Sequence, residues 1–182
     1  MANRLTFIFV TALFLIFFWP IFLGEMFSGG DIINAYLPWK EYWREMVWRG
    51  DWPLWNTMLF SGMPFTANIQ VGQFYPPNWI FLLAPANVGF TILIPLHFAW
   101  AAWGMDRLTR RLTNSAGARF AAVAVFVFSG FFITRMYPAV ILFIITGSWT
   151  PWIINGAIGL TVEHRPRQVL YLAMMMAAQF LS

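Results

Sequence analysis

Asp31 is the residue in this sequence whose type and position most directly offer chemistry. It follows Ser28, Gly29 and Gly30, and glycine lets the backbone approach a ligand closely. A carboxylate there can bind a divalent cation, or it can take a proton from an acceptor hydroxyl as a general base. Two structural alternatives stay open, because Asp is also a favoured helix N-cap and a common solvated residue in loops.

Aromatic residues and amides are concentrated in the chain after Asp31. Four of the eleven tryptophans lie between positions 48 and 79, in runs that Gly and Pro interrupt too often for long helices or strands. Rings beside Asn, Gln and Asp suit a carbohydrate, whose C–H faces stack on rings while its hydroxyls bind amides. The composition alone favours the alternative, an aromatic belt at a membrane surface. The runs are Gly50-Asp51-Trp52-Pro53-Leu54-Trp55-Asn56, Phe60-Ser61-Gly62-Met63-Pro64-Phe65 and Gln73-Phe74-Tyr75-Pro76-Pro77-Asn78-Trp79.

Two further ionisable residues lie in or beside apolar runs. Arg135 ends one run, where its guanidinium can hold a lipid-linked phosphate or simply extend to the lipid headgroups. His97 lies within another run, where an ionisable group indicates function, although a neutral imidazole bonded to a neighbouring helix is an equal alternative. No P-loop, GxGxxG, HExxH or GxSxG motif is present, so nothing supports ATP-driven transport, a metalloprotease or a serine hydrolase.

The composition sets the kind of structure that must position these residues. Of the 182 residues 60% are hydrophobic and 10% charged, whereas soluble domains have about 45–50% apolar and about 25% charged residues. This excludes an ordinary soluble domain, a disordered chain and a nucleic-acid partner, despite a net charge of +4. Without cysteine there is no disulfide or thiolate chemistry. We predict an all-α integral membrane protein that has membrane lipids as partners.

Five apolar runs predict a polytopic bundle of transmembrane helices. A cleavable signal peptide is the alternative for the first run, which is longer and bulkier than such peptides usually are. Gly147 and Pro151 are predicted kink points in the fourth run. The last run has 15 residues, about 22 Å of helix against a membrane core of about 30 Å, so 1–182 is predicted to be a single transmembrane domain, the amino-terminal part of a longer chain. The runs are 5–23, 79–105 (a short interfacial helix at 79–84, then a spanning helix from about 88), 120–134 with an extension from 116, 139–162 and 168–182.

The distribution of Lys and Arg predicts an amino terminus inside the cell. That orientation puts seven basic and two acidic residues inside, against four basic and five acidic residues outside. The segment 25–78 then becomes a long external loop, and loops of that length are usually functional.

Within this loop, 37–49 is predicted to be an amphipathic helix that lies flat at the membrane surface. Pro38 is expected to start it and Gly50 to end it. The apolar face consists of Trp39, Trp43, Met46 and Val47, and the charged face of Lys40, Glu41, Arg44 and Glu45.

The run of motifs in this loop resembles the YfhO-type bacterial membrane proteins, which lie in or beside the GT-C superfamily of polytopic glycosyltransferases. The similarity covers most of the chain, and members of the family are usually several times longer. The residues that carry it are Asp31, Tyr36-Leu37-Pro38-Trp39, Gly50-Asp51-Trp52-Pro53-Leu54-Trp55-Asn56, Phe60-Ser61-Gly62-Met63-Pro64, Phe74-Tyr75-Pro76-Pro77-Asn78 and Phe128-Ser129-Gly130-Phe131.

This resemblance implies a multi-pass protein of the bacterial inner membrane that transfers a sugar from a polyprenyl-phosphate donor to a cell-envelope acceptor at the external face. Asp31 occupies the place of the essential acid in the first external loop. Many GT-C enzymes have a second acid, for which only Glu25 and Asp51 lie nearby, so a divalent cation stays an open question. The residues implied to contact substrate are Tyr36, Trp52, Trp55, Tyr75 and Arg135.

A non-enzymatic membrane protein, which transports or assembles an envelope polymer or lipid, is the alternative function. It would need polar residues along a path through the bundle. In the predicted spans only His97, Thr150 and Asn155 offer such groups.

Overall fold

The computed structural model describes residues 11–25, 29–136, 141–163 and 166–182 of the chain, and these are mainly helical. Residues 11–17 are α-helical, and the one sheet in the described part pairs two strands of two residues each, β1 and β2. The predicted all-α class is confirmed at this level. The elements are a π-helix Ile32–Tyr36; α-helices α1 Leu37–Trp48, α2 Ile80–Leu83, α3 Ala86–Thr109, α4 Ala116–Val127, α5 Gly130–Met136, α6 Ile141–Ser148, α7 Thr150–Glu163 and α8 Pro166–Leu181; strands β1 Trp55–Asn56 and β2 Met63–Pro64; and 3-10 helices Trp19–Leu23, Ile69–Val71 and Pro76–Trp79.

Three helical stretches of the described residues are long and apolar enough to cross a membrane: Ala86–Thr109, Ala116–Met136 and Ile141–Val162. The first is α3, the second joins α4 and α5, and the third joins α6 and α7. The predicted run 5–23 begins outside the described residues. Helix α8 has 16 residues, about 24 Å at a rise of about 1.5 Å per residue.

Helix α3 is central, because α4, α6 and α7 all pack against it, while α8 packs on α6 and α7. The α-helix of the third stretch is interrupted at Trp149, between the predicted kink points Gly147 and Pro151. Proline has no N–H to donate to the carbonyl four residues earlier, and its ring collides with that carbonyl. Trp149 and Trp152 instead make tighter bonds to the carbonyls three residues before them.

The segment 29–85 folds into structure of its own, and we call it the connecting segment. The α-helix begins at Leu37 with Pro38 in its first turn, as predicted, but it directly continues the π-helix Ile32–Tyr36. The predicted end is also confirmed. Gly50 has φ +88°, its N–H bonds to Val47 and the next N–H bonds to the Met46 carbonyl, the paired bonds of a glycine-terminated helix.

The interfacial placement predicted for α1 differs from the structure at two residues. Trp43 and Lys40 are both buried among protein side chains, because the 3-10 helix Ile69–Val71 and α2 fold back over this face of the helix. Two hydrogen bonds from α1 hold these elements in place. Lys40 donates to the Val71 carbonyl, and Trp48 donates to the Leu82 carbonyl.

One core unites the connecting segment with the long helices. Phe65 and Phe81 from the segment belong to the same cluster of buried residues as Phe90 and Phe98 of α3. The rings of Phe81 and Phe90 lie 4.7 Å apart. At the start of α3 the N–H of Ala86 donates to the Glu41 carboxylate of α1 at 2.6 Å. A negative charge is favourable there, because the N-terminus is the positive end of the helix dipole.

Candidate functional site

Asp31 is exposed and stands immediately before the π-helix. Its side chain makes no capping hydrogen bond, so the capping role that the sequence left open is not observed. Within the described residues no Lys, Arg or His lies within ion-pair distance of this carboxylate. The Asp31 carboxylate is therefore exposed at the beginning of the connecting segment and has no capping bond or ion pair with the described residues.

Tyr36 is a predicted substrate residue whose pKa is affected by Asp31. Burial raises the pKa of the Tyr36 phenol, and the negative charge of Asp31 raises it further. The ring packs edge-to-face on Trp39 with centroids 5.7 Å apart. The phenol thus stays protonated at neutral pH, one helical turn from the carboxylate.

Trp52 and Trp55 are both exposed, as a sugar-stacking role requires. Trp52 packs edge-to-face on buried Trp43 at 6.4 Å and lies 6.3 Å from the Phe74 ring. Trp55 belongs to β1, opposite Pro64, and its indole lies so close to Gly62 that a Cβ there would be 2.6 Å from Nε1.

Tyr75 lies inside the protein, unlike the two tryptophans. Its hydroxyl donates to His97 Nε2 at 2.7 Å and accepts from Trp149 Nε1 at 2.9 Å. His97 Nδ1 is 2.7 Å from the Leu93 carbonyl. Because a carbonyl only accepts, Nδ1 carries the proton and Nε2 accepts from Tyr75. This network ties the connecting segment to α3 and to the third long stretch. It gives His97 a structural role, but its partner lies in the connecting segment and not in the neighbouring helix that the sequence suggested.

Arg135 lies in the last turn of α5, at the end of the second long stretch. Its guanidinium carbon is 4.0 Å from the Phe131 ring centre and 5.2 Å from that of Phe143, and one N–H donates to the Phe131 carbonyl at 3.1 Å. Cations lie favourably over aromatic faces. No carboxylate of the described residues forms an ion pair with it.

The sequence did not predict a group of buried polar residues on and beside α1. Lys40, Gln73 and Asn78 are each less than 5% exposed. Lys40 donates to the Val71 carbonyl and lies 4.7 Å from the Phe81 ring centre, and burial lowers its pKa to about 7.

The spacing along α1 carried a signal for this burial. Tyr36, Lys40, Trp43 and Val47 follow one another at intervals of four, three and four residues, which is one face of a helix. Lys40 lies in the middle of that face, although its charge predicts exposure to solvent.

The described residues contain no group of three His, Cys, Asp or Glu side chains placed to hold a metal ion. No protein-family model matches the chain, and comparisons with curated proteins and with solved structures give no significant similarity. The fold and its apolar helices define a helical protein suited to a membrane. The resemblance to YfhO-type proteins stays a prediction.

Proposed function

We propose that this protein is a membrane glycosyltransferase of GT-C type, which transfers a sugar from a polyprenyl-phosphate donor to a cell-envelope acceptor at the external face of a bacterial inner membrane. The resemblance carried by the connecting segment is the starting point. The observation that supports it best is the exposed Asp31 carboxylate, which has neither a capping bond nor a cation partner within the described residues.

In this mechanism Asp31 takes the proton from the acceptor hydroxyl as the acceptor oxygen forms its bond to the anomeric carbon. The bond between that carbon and the donor phosphate oxygen breaks, and the electron pair leaves with the polyprenyl phosphate. Tyr36 stays protonated beside Asp31, because both burial and the neighbouring charge raise the pKa of its phenol. It can therefore donate a hydrogen bond to a substrate oxygen without competing for the proton.

Arg135 is the group proposed to offset the charge that develops on the leaving phosphate. A guanidinium has five N–H donors in a fixed plane, and the described contacts of Arg135 use one of them, on the Phe131 carbonyl. The two phenyl rings support the cation without neutralising it. Its position at the end of a candidate span suits a phosphate whose polyprenyl chain lies in the lipid.

The sugar itself is assigned to the exposed rings of Trp52 and Trp55. Tyr75 is assigned a supporting role inside the protein, because its hydroxyl is already bonded to His97 and Trp149.

The transport alternative is less well supported, because two of the three polar groups that it needs are engaged within the protein. His97 is bonded to Tyr75 and Leu93. Asn155 accepts a hydrogen bond from Arg111 Nε at 2.6 Å. Side chains bonded in this way hold helices together and leave few free groups for a translocated solute.

The test compares membranes that contain the complete gene product as wild type, Asp31→Asn or Glu45→Gln. Each is incubated with radiolabelled polyprenyl-phosphate sugars, and label is followed into lipid, polymer and protein fractions. We expect transfer by the wild type and by Glu45→Gln, whose carboxylate is a second exposed acid of the same segment, and none by Asp31→Asn. Equal transfer by Asp31→Asn would remove Asp31 from the mechanism, and no transfer from any donor would favour transport or assembly.

A further inference from the structure

Gln73 has a buried amide that the described protein does not satisfy. The residue is 3% exposed, and neither its Nε2 nor its Oε1 has a hydrogen-bond partner among the described residues. Nearly all buried polar groups in folded proteins are paired, since leaving one unpaired costs about 1–3 kcal/mol. An amide with both ends unpaired indicates bonds to something other than the described residues.

The chain around Gln73 carries or contacts three exposed aromatic rings, and we call Trp52, Phe74 and Trp79 the aromatic rim. All three are about half exposed. Phe74 follows Gln73 directly in the chain, and Trp79 Nε1 donates to the Gln73 carbonyl at 3.0 Å. The rings of Trp52 and Phe74 are 6.3 Å apart and tilted by 35°. The residue that carries the unpaired amide is therefore flanked by rings that reach the surface.

The backbone that carries Gln73 is rigidly held. Asn78 Nδ2 donates to the Gly72 carbonyl at 3.0 Å, and Lys40 donates to the Val71 carbonyl. Gly72 has φ +61°, and a Cβ on it would lie 2.3 Å from Asn78 Nδ2. A turn fixed from both sides positions the following amide without help from the amide itself.

The donor and acceptor pattern decides which ligand suits the amide. An anion would accept from Nε2 but would be repelled by the partial negative charge on Oε1. A cation would bind Oε1 and leave Nε2 unpaired. A hydroxyl group both donates and accepts, so neighbouring hydroxyls satisfy both atoms. A pyranose adds C–H faces that stack on aromatic rings, the surface that the rim provides.

We propose that Gln73 and the aromatic rim form a carbohydrate-binding subsite, in which a pyranose stacks on the rim and two of its hydroxyls bond to the Gln73 amide. This inference rests on the proposed function and deepens it, by naming where the sugar of the donor or acceptor is held. The amide atoms are closed off from solvent in this structure, so the sugar reaches them only after rim side chains rotate.

The experiment measures sugar binding directly, without transfer. The complete protein is reconstituted in lipid nanodiscs, free of detergents with sugar headgroups, and saturation-transfer difference NMR is recorded with methyl glycosides of glucose, mannose and N-acetylglucosamine. The variants are Gln73→Leu and Trp52→Ala, and Gln70→Leu is the matched control, since it makes the same change at an exposed glutamine three residues earlier.

We expect a signal from the ring protons of at least one glycoside with the wild type and with Gln70→Leu, and at least a tenfold weaker signal with Gln73→Leu and Trp52→Ala. Thermal unfolding of Gln73→Leu should not begin at a lower temperature than that of the wild type, because leucine removes an unpaired amide. Asp31→Asn should bind the glycosides normally even though it transfers no sugar, which separates failure of this subsite from failure of the proposed reaction.

Three results would overturn the subsite. The first is no signal from any glycoside with the wild type. The second is full binding by Gln73→Leu at any unfolding temperature, which would mean that the amide does not contact the sugar. The third is retained binding by Trp52→Ala, which removes one ring of the rim.

Discussion

Lys40 should make the stability of this protein depend on pH in a range where few other groups titrate. It is the only lysine in the sequence and is buried, with the Phe81 ring on one side and the Val71 carbonyl as its hydrogen-bond acceptor. No carboxylate of the described residues pairs with it. Burial lowers its pKa from 10.5 to about 7, because the charged form loses its hydration.

The sign of the effect follows from proton counting. Between pH 7 and pH 10.5 the lysine of the unfolded chain is protonated, whereas that of the folded protein is mainly neutral. The free energy of unfolding therefore rises with pH across this window and is lowest below it, where both states carry the proton. Each pH unit contributes about 1.4 kcal/mol, so the full window corresponds to about 5 kcal/mol and the step from pH 7 to pH 9 to about 2 kcal/mol.

Lys40→Met keeps the length of the side chain and removes the titrating amine. We expect the variant to lose most of the stability gain between pH 7 and pH 9, whereas Arg49→Met, at an exposed cation just after α1, should keep it. The assay is chemical unfolding in mixed micelles, followed by tryptophan fluorescence. The range stops at pH 9 because burial also raises the pKa of Tyr75, so ionisation of that phenol in the unfolded chain lowers stability above about pH 10.

A parallel rise in stability for the wild type and Lys40→Met between pH 7 and pH 9 would refute this reasoning. It would mean that the amine is hydrated or paired in the folded protein.

Two further predictions concern the residues that hold the connecting segment in place. Gly72→Ala should lower the free energy of unfolding by about 1–3 kcal/mol, because the new Cβ would lie 2.3 Å from Asn78 Nδ2 at a φ of +61°. Gly50→Ala, with φ +88° and open space around the new atom, should cost only about 1 kcal/mol, and equal losses in the same unfolding assay would contradict the steric argument. Tyr75→Phe should cost about 1–3 kcal/mol, because it leaves His97 Nε2 buried without a donor. An unchanged unfolding midpoint would show that this bond does not support the fold.

The features of the fold that depend on local chemistry could be predicted from the sequence. Gly50 ends α1 because glycine accepts a positive φ, and Pro151 interrupts the third long stretch because it lacks an N–H. The start of α3 near residue 86 follows from Pro85 and the apolar run after it. Each of these needs only a few neighbouring residues to be known.

The candidate site was less predictable, because its residues are set by how the connecting segment folds back. Lys40 was placed on a solvated face, since nothing local reveals that α2 and a 3-10 turn cover it. Tyr75 was counted among residues that touch sugar, yet its hydroxyl is bonded to His97, 22 residues further along the chain. In the sequence Gln73 is one residue of a motif, and its importance depends on the hydrogen bonds that its amide lacks in the folded protein.

The shared core has a consequence for how the protein is made. When synthesis has reached residue 85, Phe81 and the other buried side chains of the connecting segment exist, but Phe90 and Phe98, against which the core closes, have not yet been added. The N–H of Ala86, which Glu41 binds, is also missing at that point. The segment must therefore wait for α3 to be made before it can close. A nascent chain arrested at residue 85 should expose this apolar surface to proteases and chaperones, and one extended through α3 should not.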